Sequence, residues 1–246
     1  MLLNIITVTK DDLEGLKKTI ASTSSLRHNT EVLQIVVDSS GLEIQKGIKE
    51  YIKNEKNIRY LWQPSSGVSS AFNMGLKNTV SKWVWFLNGG DEVDCDLNVD
   101  NLVYLLSNIV SDAIIFQVKE VQSGITAKHP PMWALWPPLL SWIPHPSTIT
   151  RRELYEKYGY FDENYKIAMD YEFWLRCFSR DVIVDLASIP ISKFDQSGIS
   201  YKLNQVTKAE VRKIIRKYFR AIIKKWFLNG LIVSKALKAS TKFSKS

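Results

Sequence analysis

Short apolar runs alternate with segments whose apolar residues recur every three or four positions. Residues 3–9 are almost continuously apolar and end in the polar Thr9-Lys10-Asp11-Asp12. Asp11 or Asp12 stands where a carboxylate caps a helix, and Leu13, Leu16 and Ile20 follow at helical spacing. After a polar break at 22–30, residues 32–37 read as a second buried strand running into Asp38-Ser39-Ser40-Gly41. Residues 44–52 fit a helix and 58–62 a third strand. Beyond Gln63-Pro64-Ser65-Ser66-Gly67, a helix over 69–79 turns Phe72 and Leu76 inward. The most apolar run, Trp83 to Leu87, meets Asn88-Gly89-Gly90-Asp91-Glu92 without a spacer. Such a run, bounded by glycines, fits a central strand covered on both faces.

Strands alternating with helices across short loops predict an α/β fold with a mostly parallel sheet flanked by helices. Ligands of such sheets gather outside the carboxyl ends of the strands. Asp38 and Asp91 would share that edge. Carboxylates beside small residues there suit Mg²⁺ or Mn²⁺ together with a ligand's phosphates. An acidic turn after a core strand is the plainer reading of the same residues.

Downstream, a helix over 101–110, a strand over 113–118, helices over 152–158 and 169–178 and a strand over 182–189 continue the pattern. Gly159 stops the first of the latter two helices. Asp170 stands at the start of the second, where it serves either as an N-cap or as a carboxylate aimed into a cleft. Residues 129–146 break the pattern, with six prolines and Trp133, Trp136 and Trp142. That segment is either an irregular loop folded onto the core or an aromatic lid for a sugar ring or lipid-linked acceptor. Residues 194–200 read as a loop.

Composition adds less than the distribution of charge. At 246 residues and 45% hydrophobic, the chain has room for one sizeable α/β domain and an appendage. Cys95 and Cys177 lie far apart and form no zinc pattern. The first apolar run lacks a basic leader and reads as a strand, and no run approaches the ~18 apolar residues of a spanning helix. A cytoplasmic location is expected. Of 33 Lys and Arg, 13 lie from Lys202 onward, against the single acid Glu210. The first 201 residues thus carry net −4 and the last 45 net +12. In that tail Val211, Ile214, Ile215, Tyr218, Phe219, Ile222, Ile223, Trp226 and Phe227 recur at helical spacing among basic residues. Such a basic amphipathic helix packs on the domain, lies in an anionic membrane surface, or binds nucleic acid; the last is disfavoured because no binding motif accompanies the charge.

Four ordered blocks resemble the family 2 glycosyltransferases of the GT-A fold: ITVTKDDLEGLKKTI, VVDSS, SGVSSAFNMGL with WVWFLNGGDE, and HPSTITRRELYEKYGYFDENY with AMDYEFWLR. The resemblance covers about residues 3–200. It implies a Rossmann-like GT-A domain over 1–201, to which the charge pattern adds a basic amphipathic helical tail over 202–246. It also implies an inverting, metal-dependent transfer of sugar from a nucleotide-diphosphate donor to a hydroxyl of a glycan or lipid-linked precursor. By position, Asp91 becomes the metal ligand, with Glu92 acting through water, and Asp170 the general base. Asp38 with Thr7 and Thr9 would hold the nucleoside, while Asn88, Gly89 and Gly90 would let the phosphates and an Mg²⁺ or Mn²⁺ ion approach. His145, Arg151 and Arg152 would hold acceptor or phosphate groups, with a surface role open for the arginines. Attachment to the inner face of a bacterial-type membrane, in polysaccharide synthesis, fits the tail. The chain departs from the pattern at Gly90, where relatives often carry a second aspartate, and at Met169, Ser39 and Ser70. Phe72 likewise replaces a common arginine or methionine. This thinned acidic site leaves a rival reading, a non-catalytic nucleotide-sugar-fold module that partners another enzyme. A nucleotidyltransferase is disfavoured by the absence of a Gly-rich basic turn after the first strand.

Overall fold

The computed structural model describes residues 1–120, 126–127, 143–180, 182–194, 205–221 and 223–224. Its elements run β1 (Leu3–Thr9), α1 (Leu13–Ser22), α2 (Ser24–Arg27), β2 (Val32–Asp38), α3 (Leu42–Ile52), β3 (Ile58–Trp62), α4 (Val68–Lys77) and β4 (Trp83–Asn88). They continue with β5 (Glu92–Val93), α5 (Val99–Asn108), β6 (Ala113–Glu120), β7 (Thr126–Ala127), β8 (Thr148–Arg151), α6 (Glu153–Tyr158), α7 (Met169–Phe178) and β9 (Val184–Phe194). A final helix, α8, covers 205–221. Most of the proline- and tryptophan-rich segment, including Trp133, Trp136 and Trp142, lies outside the described residues. So do residues 195–200 of the expected loop, the expected boundary at 201–202, and Trp226 and Phe227 of the tail.

The sheet runs β3-β2-β1-β4-β8-β6-β9-β5, with β7 beside β6. The first four strands are mutually parallel. β8 runs antiparallel to both β4 and β6, and β9 parallel to β6. The expected α/β architecture is therefore present, with a mixed far half that the alternation of strands and helices did not indicate.

β1 shows why its residues are almost continuously apolar. Ile6 and Val8 face one core with Val37, Phe72, Val84 and Phe86. Leu3 and Ile5 face the other with Trp83, Trp85 and Leu87. Both faces are covered, so both alternate sets are mostly apolar, and the buried Asn4 and Thr7 are hydrogen-bonded inside the sheet. Order 2-1-4 puts neighbours on either side of β1, and the crevice at that reversal opens beyond the carboxyl ends of β1, β2 and β4. In register, Thr9 is beside Asp38 and Val8 beside Asn88.

Candidate active site

The loops at this edge are tied to one another. Asp12 caps α1 by accepting from Gly15 N at 2.8 Å. Asp11 N donates to the Ser40 hydroxyl at 2.7 Å, and the Asp11 carboxylate accepts from Gly41 N. Asp38 is fully buried, its oxygens taking Ser40 N at 2.8 Å and the Tyr60 hydroxyl at 2.7 Å. Burial, and then the adjacent Asp38 carboxylate, push the Tyr60 phenol well above its ordinary range, so it stays a donor. The Trp62 indole donates to Ser40 O and is itself 45% exposed. An exposed aromatic face thus borders the Asp38 loop.

The turn after β4 is built on its glycines. Asn88 N donates to Asp91 Oδ2 at 2.8 Å and Asp91 N to Asn88 O at 3.0 Å. Gly90 closes this turn at φ +104°, a region in which only glycine is at ease. Thr19 of α1 braces it by accepting from Gly90 N and donating to Asn88 O. A Cβ on Gly89 would stand 3.2 Å from Thr9 Oγ1 and 3.6 Å from Leu16 N, so Gly89 lets the turn lie against α1. The glycines serve packing and turn geometry first.

Across the cleft, a 3₁₀ turn over His145–Ser147 leads into β8. The Trp85 indole holds it by donating to Pro146 O at 2.8 Å. The His145 ring lies between two carboxylates, with Nε2 3.9 Å from Asp91 Oδ2 and Nδ1 4.0 Å from Asp170 Oδ2. Burial lowers the imidazole pKa to about 4, so the ring is neutral at pH 7. Its Nε2 is 3.0 Å from Asn88 Nδ2. A neutral ring accepting there carries its proton on Nδ1, towards Asp170. Beneath lies an aromatic floor in which Phe72 meets Phe86 at 4.6 Å, Phe161 at 5.8 Å and His145 edge-on at 6.1 Å.

Asp170 belongs to the first turn of α7, but it does not cap that helix: the cap position is Ala168, whose side chain makes no cap bond. Asp170 Oδ1 accepts from Tyr171 N at 2.7 Å, and Oδ2 faces His145. Burial pushes the carboxyl up to about 6, against that backbone bond. Its 24% residual exposure opens it to a substrate. The loop before α7 is pinned to α4, with Asn73 bonding Phe161 at both N and O and Ser69 donating to Tyr165 O.

Asp38, Thr9, Asn88, Gly89, Gly90, Asp91, His145 and Asp170 thus gather at one edge, whereas two expected binding residues lie elsewhere. Thr7 is fully buried and its hydroxyl accepts from Gln34 Nε2, inside a polar network with Thr23. Its place one pleat before the strand end puts it under the helices rather than at the rim. Arg152 binds Ser81 O and Glu156, and its N donates to Lys82 O. Because β8 is antiparallel to β4, this is the amino end of β4, the edge opposite Asn88. Arg151 is held there too, by Ser111 O and Ile109 O. Glu92 opens β5 and pairs with Lys193 of β9. Tyr60, which holds Asp38, and Asn73, which holds the loop before α7, are site residues that the sequence did not single out.

Among the described residues, Asp94, Cys95 and Asp96 bring ligand atoms within 4.8 Å of one another. The Lys119 ammonium lies 2.7 Å from Asp94 and 3.0 Å from Asp96, so the chain supplies that cluster's cation itself.

The family model for glycosyl transferase family 2 matches residues 4–183, spanning β1 to the approach to β9. The chain belongs to glycosyl transferase family 2. This transferase is 26% identical over 203 residues to an uncharacterized glycosyltransferase of Mycobacterium tuberculosis, covering 80% of this chain and 76% of that one. It is 23% identical over 177 residues to an uncharacterized glycosyltransferase of Rickettsia conorii, with 70% and 28% covered. Its fold is similar to that of S. aureus TarS residues 1–349 solved with UDP-GlcNAc (TM-score 0.69, 19% identity), over 90% of this chain and 66% of that one. It is similar also to the mannosyltransferase PcManGT of Pyrobaculum calidifontis, solved with GDP-Man and Mn²⁺ (TM-score 0.64, 13% identity, 89% and 64% covered). This transferase therefore spans less than two thirds of both solved chains.

Proposed function

We propose that this family 2 glycosyltransferase transfers a sugar, with inversion, from a nucleotide-diphosphate donor to a hydroxyl of a glycan or lipid-linked glycan precursor. The observation that carries this reading is the placement of Asp91 and Asp170 on either side of His145, at the rim that also holds Asp38. Asp170 Oδ2 takes the proton of the acceptor hydroxyl. The freed oxygen forms its bond to the anomeric carbon as the bond to the diphosphate breaks, and the electron pair leaves on the nucleoside diphosphate. A carboxyl with pKa near 6 is matched to this work at neutral pH, being ionised yet basic. Asp38, oriented by Tyr60 and Ser40, and Thr9 border the nucleoside, and Trp62 offers a stacking face. His145 orders the space between the two carboxylates.

The donor set at Asp91 fits Mg²⁺ or Mn²⁺. Such ions are held by one or two carboxylates and complete their shell from phosphates and water. Asp91 would hold the ion, with Glu92 reaching it through water, and when bound it would neutralise charge on the departing diphosphate. The nucleotide ligands of TarS and PcManGT and the Mn²⁺ of PcManGT support this chemistry by likeness of fold. The joint retention of Asp91 and Asp170 argues against a purely non-catalytic module.

The tail supports a membrane-surface location. No helix among the described residues is long and apolar enough to cross a membrane. On α8, Val211, Ile214 and Tyr218 pack onto the domain. Lys208, Arg212, Arg216 and Arg220 stay exposed at four-residue spacing, with Val206, Phe219 and the following Ile223 also exposed. This outward face suits an anionic surface at the inner leaflet, each base contributing about 1 kcal/mol. No nucleic-acid motif accompanies it.

Calorimetry with UDP and GDP, with and without Mn²⁺, tests the reading. Binding that strengthens with the metal in the wild type and loses that dependence in Asp91→Ala is expected. Absence of binding by any nucleoside diphosphate would overturn it.

A further inference from the structure

Helix α8 does more than cover the core: it grips the helix that carries Asp170. The Glu210 carboxylate accepts three successive backbone N–H groups, Lys166 at 2.8 Å through Oε1, and Ile167 at 3.0 Å and Ala168 at 2.9 Å through Oε2. These residues lead directly into α7, whose own cap residue offers no side-chain acceptor. The first N–H groups of a helix lack intrahelical partners, and a carboxylate there also meets the positive end of the helix dipole. Of the three donors only the Ala168 N–H belongs to the helix terminus, so Glu210 orders the chain entering α7 rather than standing in for a cap side chain.

A second grip lies just beyond. Glu172, 1% exposed, accepts from the Lys217 ammonium at 3.0 Å and the Tyr218 hydroxyl at 2.5 Å, both on α8. Ile214, fully buried between these anchors, joins the core that holds Phe173 and Trp174. Asp170 stands two residues after the Glu210 bonds and two before Glu172. The first turn of a helix is where fraying begins, and a base misplaced by an ångström loses much of its rate. Both grips constrain that turn.

We infer that Glu210 is a positioning residue for Asp170, holding the entry of α7 so that the carboxylate faces the cleft. The inference rests on the assignment of Asp170 as the base. It explains why the one acid of the basic tail faces inward while the bases on the other side of the helix face out.

Full-length Glu210→Ala and Glu210→Gln, the latter keeping side-chain length but replacing one acceptor oxygen with a donor, test it by amide hydrogen exchange and donor turnover. Exchange of the amides of 166–170 should rise at least tenfold in Glu210→Ala and less in Glu210→Gln, with β1 and β4 protection unchanged. Turnover should fall at least tenfold in Glu210→Ala, with the donor KM within about twofold because the Asp38 and Asp91 side is untouched. Unchanged exchange, or raised exchange with unchanged kcat, would overturn the inference. A wild-type protein inactive with every donor would count instead against the transferase reading, and the exchange data would still decide whether Glu210 orders this segment.

Discussion

Nδ1 of His145 lies 4.0 Å from Oδ2 of Asp170, and the opposite nitrogen of the ring lies 3.9 Å from Asp91. A neutral imidazole is thus the spacer between the carboxylate assigned to the metal and the one assigned to the acceptor. Its charge state matters: a protonated ring would pair with both carboxylates and remove the base from service. Burial keeps the ring neutral and raises Asp170, so the two shifts act in the same direction.

Turnover should depend on pH through Asp170. Its folded pKa is raised by burial from 3.8 to about 6, and the ionised form is the active one. The rate should therefore climb as pH rises through about 6. For stability the sign is opposite: the preference for the protonated carboxyl is fully present below about pH 4 and is lost as pH passes about 6. Asp170→Asn should be more stable than wild type by about 1–3 kcal/mol at pH 7–8. The difference should vanish below about pH 4 in denaturant titrations; a constant difference would contradict the shift.

Tyr60→Phe removes one of the two bonds that orient buried Asp38. A lost bond to a buried charged group costs about 1–3 kcal/mol of stability. Nucleoside-diphosphate binding should weaken by about three- to tenfold in calorimetry if Asp38 contacts the nucleoside. Equal binding by both proteins would place the nucleoside elsewhere.

Gly90→Ala meets no atom within 4 Å, so its cost is purely backbone strain at φ +104°. Destabilisation of about 1–3 kcal/mol by thermal denaturation is expected, with Gly90→Asn milder because asparagine tolerates positive φ better. Metal-dependent nucleotide binding should fall in both, since this turn aims Asp91. Full retention would show that Asp91 is aimed by other contacts.

Reversing Arg212, Arg216 and Arg220 to glutamate should weaken sedimentation with anionic vesicles at least tenfold and leave neutral vesicles unaffected. Thermal stability should change by less than about 1 kcal/mol, since the face packed on the domain is untouched. Unchanged sedimentation would remove the membrane from the account.

Much of this was legible because a strand buried on both faces has a distinctive composition: β1, β2 and β4 announce themselves, and their last residues bring Asp38 and Asp91 to one rim. The far half was less so. β8 has four residues, and its antiparallel direction is set by the chain path rather than by Thr148–Arg151. That direction sent Arg152 to the wrong edge. Thr7 misled because a buried threonine in a strand can serve an internal network as readily as a ligand. Tyr60 gave no signal, since a tyrosine in a strand is ordinary. Glu210 stood out as the lone acid among 13 bases, but its partners became visible only in the fold, where it meets the backbone of 166–168.

The most direct test is turnover of UDP- and GDP-sugars by wild type and Asp170→Asn, with donor binding measured alongside. Donor affinity within about twofold and a rate reduced at least about a hundredfold are expected, since a positioned base contributes about 10²–10⁴. Equal rates in the two proteins would show that the proton leaves the acceptor by another route.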